Sequence, residues 1–505
     1  MKQRAILLVM LLLFISVQAI GQTDEIKLDV RERVLSNGMT ILVLENHSAP
    51  TFSAVIRFNT GAIDERPGIT GISHLLEHMM FKGSKIMGTS DFEAEIPLMA
   101  KIDSLAHLMY AEHVKLQNPL NPRDSARYKE LRKQIADVQA EQAQYIVKDE
   151  LWGTYLKNGA AALNAFTSND ATNYFVSLPK NKLEIWVFME ADRMQNTIFR
   201  EVYSERDVVT EERRLSIENN PRGTLEEAIN ATAFWATPYE WPVLGWMSDL
   251  QNIMREDVDD YYRIHYAPAN AVAAIVGDVK ADQVFSLCEK YFGQIPPQTP
   301  PPAVVTKDNP QQGERRSEVE YDANPSGYIA WRVPQVGHPD VPVLDFIANI
   351  LSEGRTSRFY RNIKEKKIGD VRASVDQTRL PNVFSCDVTP MGDHTFAEVE
   401  DAVCAEIDRL KTSPVSSWEL QKIRNQMRAS LLRSLDSNLR LAFRLTNSRG
   451  LTGDWRHFLN WNDAINKVTA DDIIQVAGKY FTQKNRTVVQ IVRSTEEDAD
   501  APAQP

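Results

Sequence analysis

The sequence predicts an α+β protein made of two similar α/β-sandwich repeats, each an antiparallel-rich sheet covered by helices. Stretches with strand periodicity alternate with amphipathic helical stretches along the whole chain, which is typical of this fold class. A Pro-rich segment beginning at residue 296 interrupts the chain, and the order of predicted elements restarts after it. The length of 505 residues would suit about three average domains, and two large ones are equally allowed.

The first 21 residues have the features of a secretory signal that is removed from the mature protein. Lys2 and Arg4 precede an apolar run over residues 5–15, and the small residues Ala19 and Gly21 follow it. The run is shorter than the roughly 20 residues that a membrane span needs, so we expect cleavage after Gly21 or Ala19 rather than retention as an anchor. No later stretch is apolar for long enough to span a bilayer. The prediction is an exported protein, periplasmic if the source is a Gram-negative bacterium, with no stable membrane span after signal removal.

The charge of the chain excludes one class of partner. The formal net charge at pH 7 is −11, whereas a nucleic-acid-binding protein would need a basic surface. We therefore expect no nucleic-acid partner. Hydrophobic residues make up 43% and charged residues 25% of the chain, which allows a substantial core.

The first repeat is expected over residues 22–295. A hairpin over 33–44 is predicted by the pair Asn37-Gly38, because these residues suit a two-residue turn between strands. In 52–58 large apolar residues alternate with others, so we expect a half-buried strand. A helix is expected to begin near Ile72, after a loop rich in Gly and Pro. The further expected elements are a strand region over 163–178, helices over 182–194 and 203–217, a buried strand over 272–276 and a helix over 283–291.

Residues 92–157 are predicted to form a helical insertion in this repeat. The stretch is rich in charge, and Tyr128, Leu131, Ile135 and Val138 recur at helical spacing. Prolines within 118–122 divide the stretch, since proline is poorly accommodated inside a helix. The insertion is therefore expected to be a helical hairpin with a solvated charged face.

A linker and a second repeat complete the predicted organisation. Five prolines fall within residues 296–302, so 296–315 is predicted to be a semi-rigid linker. Residues 316–495 are predicted to form a second, non-catalytic repeat, and 496–505 a flexible tail. The expected strands of this repeat cover 328–333, parts of 373–388 and 488–492, and its expected helices cover 341–351, 397–411 and 418–432.

The pentad His74-Leu75-Leu76-Glu77-His78 is the basis for predicting a function. Residues four apart lie on one face of a helix, so His74 and His78 can present two imidazoles to one metal ion. Glu77 lies near the same face and would be the base that takes a proton from a metal-activated water molecule. The order is the inverse of the His-Glu-x-x-His motif, and both orders occur in zinc peptidases. As a purely structural alternative, the helix would bury three polar side chains without compensation, which is costly.

A catalytic zinc needs a third protein ligand and one open position. The acidic stretch over 205–212 is the best source, because Glu205 and Glu212 are two helical turns apart and share a face. One of them could bind the metal while the other orients a histidine from behind. A solvated acidic helix without a metal is the alternative, and the residues alone leave both open.

Residues 71–83, which include the pentad, resemble the signature of the insulinase–pitrilysin metallopeptidases, in the branch of the mitochondrial processing peptidase and its bacterial relatives. The acidic stretch resembles the helix that follows the signature in that family. The resemblance implies that Glu212 is the third zinc ligand and Glu205 a supporting acid. The separation between His78 and Glu212 is longer than usual for the family, which the helical insertion would explain, and Glu211 stays a rival ligand.

Asn164, Ala165, Phe166 and Thr167 resemble a strand segment of the same family. The resemblance implies that these four residues bind substrate as an edge strand, to which an extended peptide adds by main-chain hydrogen bonds. An ordinary strand end is the alternative. Residues 351–360 resemble part of the family's second repeat, which has no His-x-x-Glu-His pentad here, as expected for a non-catalytic half.

The resemblance implies an exported zinc endopeptidase that hydrolyses peptide bonds in short or unfolded polypeptides, with one Zn²⁺ per chain. It also implies a clamshell of paired repeats, and a homodimer or a heterodimer with a related chain. Many family members supply an Arg and a Tyr from a C-terminal unit to the substrate, whereas the nearest positions here are Lys364 and Val371. A partner subunit would supply that pair, or the chain works without it. The alternatives are a metallohydrolase acting on another bond, and a non-catalytic scaffold or partner subunit of a peptidase-like heterodimer.

Overall fold

The computed structural model describes residues 26–117 and 125–493. The predicted signal over 1–21 and the predicted tail over 496–505 lie outside these ranges. From Arg31 onward the described residues form one compact unit. Within the described ranges, no helix combines the length and the apolar character that crossing a membrane requires.

The first half of the chain contains a six-stranded sheet. Its strands are β1 (Val30–Val34), β2 (Thr40–Glu45), β3 (Thr51–Phe58), β4 (Ala161–Thr167), β5 (Thr172–Pro179) and β6 (Ala271–Gly277). Their order is β1-β2-β6-β3-β5-β4, with β2 and β6 parallel and the pairs among β3, β4, β5 and β6 antiparallel. Every residue of β6 is buried, which explains why its sequence is an uninterrupted apolar run.

Helices cover this sheet and extend beyond it. They are α1 (Ile72–Met79), α2 (Phe92–Gln117), α3 (Ala126–Gln142), α4 (Glu150–Lys157), α5 (Leu183–Asn196), α6 (Val202–Arg213), α7 (Pro221–Ala233), α8 (Met247–Leu250), α9 (Arg255–His265) and α10 (Ala281–Tyr291). The largest apolar core lies between the sheet and a layer that includes α1, α5 and α10. Where the insertion was predicted, α2 and α3 form a hairpin. Its residues Ile102, Ala106, Ile135 and Val138 pack with Tyr203 at the start of α6.

The second half repeats this arrangement with a five-stranded sheet. Its strands are β7 (Arg315–Glu320), β8 (Gly327–Val333), β9 (Gly369–Val375), β10 (Asn382–Pro390) and β11 (Arg486–Val492). Its helices are α11 (Val341–Ser352), α12 (Phe396–Thr412), α13 (Ser417–Leu435), α14 (Asn438–Thr452), α15 (His457–Lys467) and α16 (Ala470–Tyr480). The order β7-β11-β8-β10-β9 matches β2-β6-β3-β5-β4, and β7 and β11 are again parallel. The predicted α+β fold of two alike repeats is confirmed.

Each half covers the outer face of the other half's sheet with one helix. In α7 of the first half, Leu225 and Ile229 pack against Tyr328 of β8 and Val489 of β11. The helix α14 of the second half lies in the same way against β3 and β6. The two halves therefore complete each other's cores.

The contact made by α14 corrects one prediction. Phe443 of α14 packs edge-to-face on Phe175 of β5, with ring centroids 5.0 Å apart. Nη1 of Arg57 in β3 donates a hydrogen bond to Asn447 of α14 at 2.8 Å. All of β3 except Thr51 is buried, so the prediction of a half-buried strand was wrong, because the second face is covered by a helix from the other half.

Residues 295–314 contain neither helix nor strand, and one acid fixes them to both halves. The carboxylate of Asp308 accepts hydrogen bonds from the backbone N–H groups of Trp235 at 2.8 Å and Ala236 at 3.1 Å. It also forms an ion pair with Arg332 of β8 at 2.9 Å. Asp308 thus binds this segment to both halves at one point.

The loop between β9 and β10 makes a further contact between the halves. The guanidinium of Arg379 donates two hydrogen bonds to the buried carboxylate of Asp64, at 2.7 and 2.8 Å. The backbone N–H of Arg379 donates to the buried Asp170 at 2.9 Å. Because Asp170 lies between β4 and β5, this contact fastens the second half to that hairpin.

Candidate metal centre

A glycine and a buried acid define the start of α1. Gly71 has a φ of 88°, and a side chain there would collide with the carbonyl oxygen of Leu244 at 2.6 Å. The carboxylate of Glu65 accepts hydrogen bonds from the backbone N–H groups of Gly71 and Ser73, both at 2.8 Å. It thereby satisfies donors that the first turn of a helix leaves free. The apolar residues of α1 pack into the core, and the polar residues of the pentad face α6 and β4.

His74, His78 and Glu212 lie together where α1 meets α6. Nε2 of His74 is 3.8 Å from Oε1 of Glu212, and Nε2 of His78 is 3.6 Å from Oε2 of Glu212. One potential ligand atom of each residue lies within 4.8 Å of the other two. Ligand atoms of a tetrahedral zinc lie roughly 3.4 Å apart, so small side-chain rotations would bring these three atoms to one ion. Two imidazoles and one carboxylate fit a zinc that keeps one position open.

His74 is in the protonation state that a metal ligand needs. Burial, and secondly the proximity of His78, lower the pKa of His74 to about 3, so its imidazole is neutral at pH 7. Nδ1 of His74 is buried and has no hydrogen-bond partner among the residues that the structure describes. The other nitrogen, Nε2, is the one directed at Glu212.

Glu77 lies beside this group without belonging to it. Its Oε2 accepts a hydrogen bond from Oγ1 of Thr167, at the end of β4, with a length of 2.6 Å. Burial raises the pKa of Glu77, and the hydrogen bond from Thr167 opposes that rise. A carboxylate with raised proton affinity next to a metal site is suited to accepting a proton and returning it.

Glu205 supports His78 from behind. Its Oε2 is 3.2 Å from Nδ1 of His78, and its Oε1 contacts Nζ of Lys82. Burial by itself would raise the pKa of Glu205, but the hydrogen bonds from His78 and Lys82 outweigh it and leave the pKa below its ordinary value. Burial by itself would lower the pKa of His78, but the hydrogen bond to Glu205 and the charges of Glu205 and Glu212 outweigh it and raise the pKa. A hydrogen bond donated by Nδ1 to Glu205 would leave Nε2, which is 3.6 Å from Glu212, as the nitrogen that a metal displaces a proton from or binds. The sequence analysis missed Lys82, although it follows His78 by one helical turn.

The rival ligand Glu211 lies outside the group. Its carboxylate pairs with Arg214 one turn further along the chain, and its side chain is 62% exposed. Glu211 lines a cavity between α6 and the α2–α3 hairpin, on the side of α6 that faces away from α1. The geometry therefore favours Glu212 as the third ligand.

The four residues predicted to bind substrate lie on an edge strand that leads to Glu77. Within the described residues, β4 has β5 as its one neighbouring strand, so its other edge has free backbone groups. Thr167 ends the strand at Glu77, and Ala165 is buried. Phe166 is 42% exposed and lies 5.7 Å from Phe443 of α14, measured between ring centroids. Asn164 accepts a hydrogen bond from the backbone N–H of Ala165.

Two family descriptions match the chain. The description "Insulinase (Peptidase family M16)" matches residues 40–104 and 147–245, and "Peptidase M16 inactive domain" matches residues 252–427. The first match includes His74, His78 and Glu212, and also Glu77 beside them. It omits 105–146, which contains most of the α2–α3 hairpin.

Individual proteins resemble the chain over nearly its whole length. The zinc protease PqqE of Helicobacter pylori is 25% identical over 90% of this chain and 91% of its own. The β subunit of the mitochondrial-processing peptidase of Bos taurus is 23% identical over 94% of this chain and 87% of its own. A crystal structure of a protease from Helicobacter pylori has a TM-score of 0.76 at 22% identity, covering 92% of this chain and 100% of that chain. The first half of the periplasmic protease PqqL from Escherichia coli has a TM-score of 0.64 at 16% identity, covering 93% of each chain.

Proposed function

Because the chain belongs to the insulinase family of peptidases, peptidase family M16, we propose that it is a zinc-dependent endopeptidase that hydrolyses peptide bonds in short or unfolded polypeptides. The proposal rests chiefly on the group formed by His74, His78 and Glu212, whose potential ligand atoms lie within 4.8 Å of one another. Two relatives, PqqE of Helicobacter pylori and a protein of Bacillus subtilis, are named zinc proteases, which supports the same function.

His74, His78 and Glu212 would hold one Zn²⁺ per chain. When bound, the ion would supply Lewis-acid chemistry, polarising the carbonyl of the scissile bond and making a water molecule easier to deprotonate. The neutral imidazole of His74 supports this assignment, because only an unprotonated nitrogen can bind a metal. Glu205, with Lys82, would keep the ring of His78 in the orientation that binding requires.

Glu77 is proposed as the group that moves the proton. Thr167 donates its hydrogen bond to Oε2, which leaves Oε1 to take a proton from the attacking water. The same oxygen would then pass the proton to the amine that leaves when the peptide bond breaks. The raised pKa of Glu77 supports this role, since a base that must also act as an acid works best with a pKa near the working pH.

The edge strand β4 is proposed to bind the substrate backbone. An extended peptide would pair with the free edge along residues 164–167, and its scissile bond would lie near Glu77 because Thr167 contacts that carboxylate. Such pairing needs a strand-like stretch without its own secondary structure, so short or unfolded polypeptides are the expected substrates. The exposed ring of Phe166 would contact substrate side chains on one face.

The test combines zinc content with cleavage of an unstructured fluorogenic peptide by the purified full-length chain. In Glu77→Gln we expect one zinc per chain and a cleavage rate lower by about 100-fold or more, because the proton acceptor is lost. In Glu212→Gln we expect zinc and cleavage to be lost together. Glu211→Gln is the matched control, and both properties should stay at the wild-type level.

Three results would each overturn a part of the proposal. Full activity in Glu77→Gln would remove the base assignment. Zinc retained in Glu212→Gln but lost in Glu211→Gln would move the third ligand. A wild-type chain that binds no zinc would instead favour the alternative of a non-catalytic scaffold or partner subunit.

We also propose that the protein is exported and works as a dimer, of this chain or with a related one. Export is supported by the apolar run over 5–15 and by the periplasmic relative PqqL. The test is N-terminal sequencing of the protein recovered from its native host, which should begin after Ala19 or Gly21. Light scattering of the same material should give twice the mass of one mature chain, and a monomer that cleaves peptide would refute the dimer.

A further inference from the structure

The second half contains a cavity of about 890 Å³ that the proposed reaction does not use. Its wall is formed by residues of α11, α13, α14 and α15. The volume lies within the range of small-molecule and peptide pockets, which is about 300–1,000 Å³. Helices α11 and α13 have counterparts in the first half, so their faces can be compared with those at the metal centre.

The helix α11 occupies the place of α1. Both helices follow the corresponding strand, β8 or β3, and both are followed by a glycine with a left-handed φ, 98° for Gly83 and 77° for Gly354. When these two glycines are aligned, Asp345 falls at the position of His74 and Asn349 at the position of His78. Asp345 and Asn349 both line the cavity.

The helix α13 occupies the place of α6 in the same way. Aligning Glu419 with Glu205, near the starts of the two helices, places Gln426 at the position of Glu212. Gln426 also lines the cavity. The cavity is thus the counterpart of the metal centre, with Asp345, Asn349 and Gln426 in place of the three ligands. Because amide side chains are poor zinc ligands, this pocket lacks the side chains that would bind zinc, although the cavity itself remains.

One cationic group in the wall of this cavity has no side-chain partner among the described residues. Arg444 of α14 lines it, and no hydrogen bond or ion pair joins its guanidinium to another side chain within the described residues. Burial lowers the pKa of Arg444, with no acid opposing the shift. A ligand that supplies an anionic oxygen would satisfy this guanidinium.

The other residues of the cavity wall indicate which kind of molecule would carry the anionic oxygen. Arg433 adds a second positive charge to the wall, but Asp345 and Glu353 add two negative ones, so the pocket is mixed in sign and does not resemble a site for a multiply charged anion. Phe458 and Trp461 add aromatic surface for an apolar side chain. We propose that this pocket binds the C-terminal end of a short peptide, with the free carboxylate on Arg444 and the last side chain against Phe458 and Trp461.

The position of the pocket suits a role next to the proposed catalytic chamber. Asn447 lines the cavity and accepts a hydrogen bond from Arg57 of β3, so the pocket borders the first half. On the same helix, Phe443 contacts Phe166 of the edge strand β4. A peptide end held here lies beside the strand on which substrates are proposed to bind, and its binding needs no hydrolysis.

The experiment measures binding by isothermal titration calorimetry to the full-length Glu77→Gln chain, so that cleavage does not interfere. The probe is the peptide Ala-Ala-Ala-Phe with a free carboxylate, compared with its C-terminal amide at equal ionic strength. We expect the amide to bind at least about tenfold more weakly, because one charge-assisted hydrogen bond is lost. In Arg444→Gln the affinity for the free-acid peptide should fall by a similar factor and should not exceed the affinity for the amide. Arg444→Lys should recover part of the lost affinity, because it keeps a positive charge.

Arg440→Gln is the matched control, because Arg440 is an exposed arginine on the same helix and does not line the cavity. Its affinity for the free acid should equal that of the Glu77→Gln parent. Equal affinity for acid and amide would overturn the proposal, even if Arg444→Gln failed to fold. The proposal would also be overturned if the free-acid peptide bound Arg444→Gln as tightly as it binds the Glu77→Gln parent. Displacement of the peptide by inorganic phosphate at equal concentration would overturn it as well. The proposed zinc chemistry is unaffected by any of these results, because it is tested by zinc content and cleavage.

Discussion

Replacing Arg379 by methionine should loosen the attachment of the second half to the first. The substitution removes the two hydrogen bonds to Asp64 and keeps a similar length of apolar side chain. Asp64 is 5% exposed and Asp170 9% exposed. Asp64 would therefore lose its cation while staying away from water, and Asp170 would keep only the weaker attraction of Arg57. Breaking a buried ion pair from one side costs about 3–5 kcal/mol at pH 7, because the remaining charge is uncompensated.

The loss of folding stability in Arg379→Met should also depend on pH. Burial already raises the pKa of Asp64 and of Asp170 with Arg379 present, and removal of Arg379 raises both further. A carboxyl group with a raised folded-state pKa favours folding at low pH and loses that contribution as pH rises through this pKa. The deficit of Arg379→Met should therefore be largest at pH 7 and smaller at pH 5.

The assay is urea unfolding followed by tryptophan fluorescence at both pH values. Arg372→Met, an exposed arginine in β9, is the control and should stay within about 0.5 kcal/mol of wild type. Adding Asp64→Asn to Arg379→Met should restore part of the loss, since it removes one uncompensated charge. A deficit below about 1 kcal/mol at pH 7, or one that does not change between pH 5 and 7, would refute the reasoning.

Two further predictions concern Glu205 and Asp345. Glu205→Gln should lower zinc affinity by about 10- to 100-fold in a chelator competition, because the negative charge behind His78 is lost. Glu201→Gln is the control and should keep the wild-type zinc affinity, since the carboxylate of Glu201 is 3.9 Å from Lys82 and does not contact His78. Burial raises the pKa of Asp345 to about 6, so wild-type stability should fall between about pH 4 and 6 relative to Asp345→Asn. Urea unfolding at pH 4.5 and 7 measures this difference, which should change by about 2 kcal/mol, because about 1.4 kcal/mol per pKa unit gives about 3 kcal/mol for the whole shift and about 1 kcal/mol of it is already present at pH 4.5. A pH-independent difference would contradict the assignment.

The parts of the site that follow from local spacing could be predicted from the sequence. His74 and His78 share a helical face at any tertiary arrangement, and so do Glu205 and Glu212. Which acid of the second pair would approach the histidines depends on how α6 is rotated against α1. Sequence spacing alone left that open, and the family resemblance pointed to Glu212.

Features that depend on distant parts of the chain could not be predicted. The burial of both faces of β3 comes from α14, whose sequence gives no sign of where it packs. The role of Arg379 depends on acids in a different half, and a single arginine in a loop is usually solvated. Strand-like runs were predicted within 373–388 without their bounds, and the structure places β9 up to Val375 and β10 from Asn382.

The exchange of α7 and α14 between the two sheets changes what the Pro-rich stretch is needed for. If a protease cut this stretch, the two fragments should stay associated, because each contains the helix that covers the sheet of the other. Either fragment made alone would present an uncovered, sticky β-surface to solvent. We therefore expect the Pro-rich stretch to matter mainly during folding, when it keeps the two halves close together and in equal numbers.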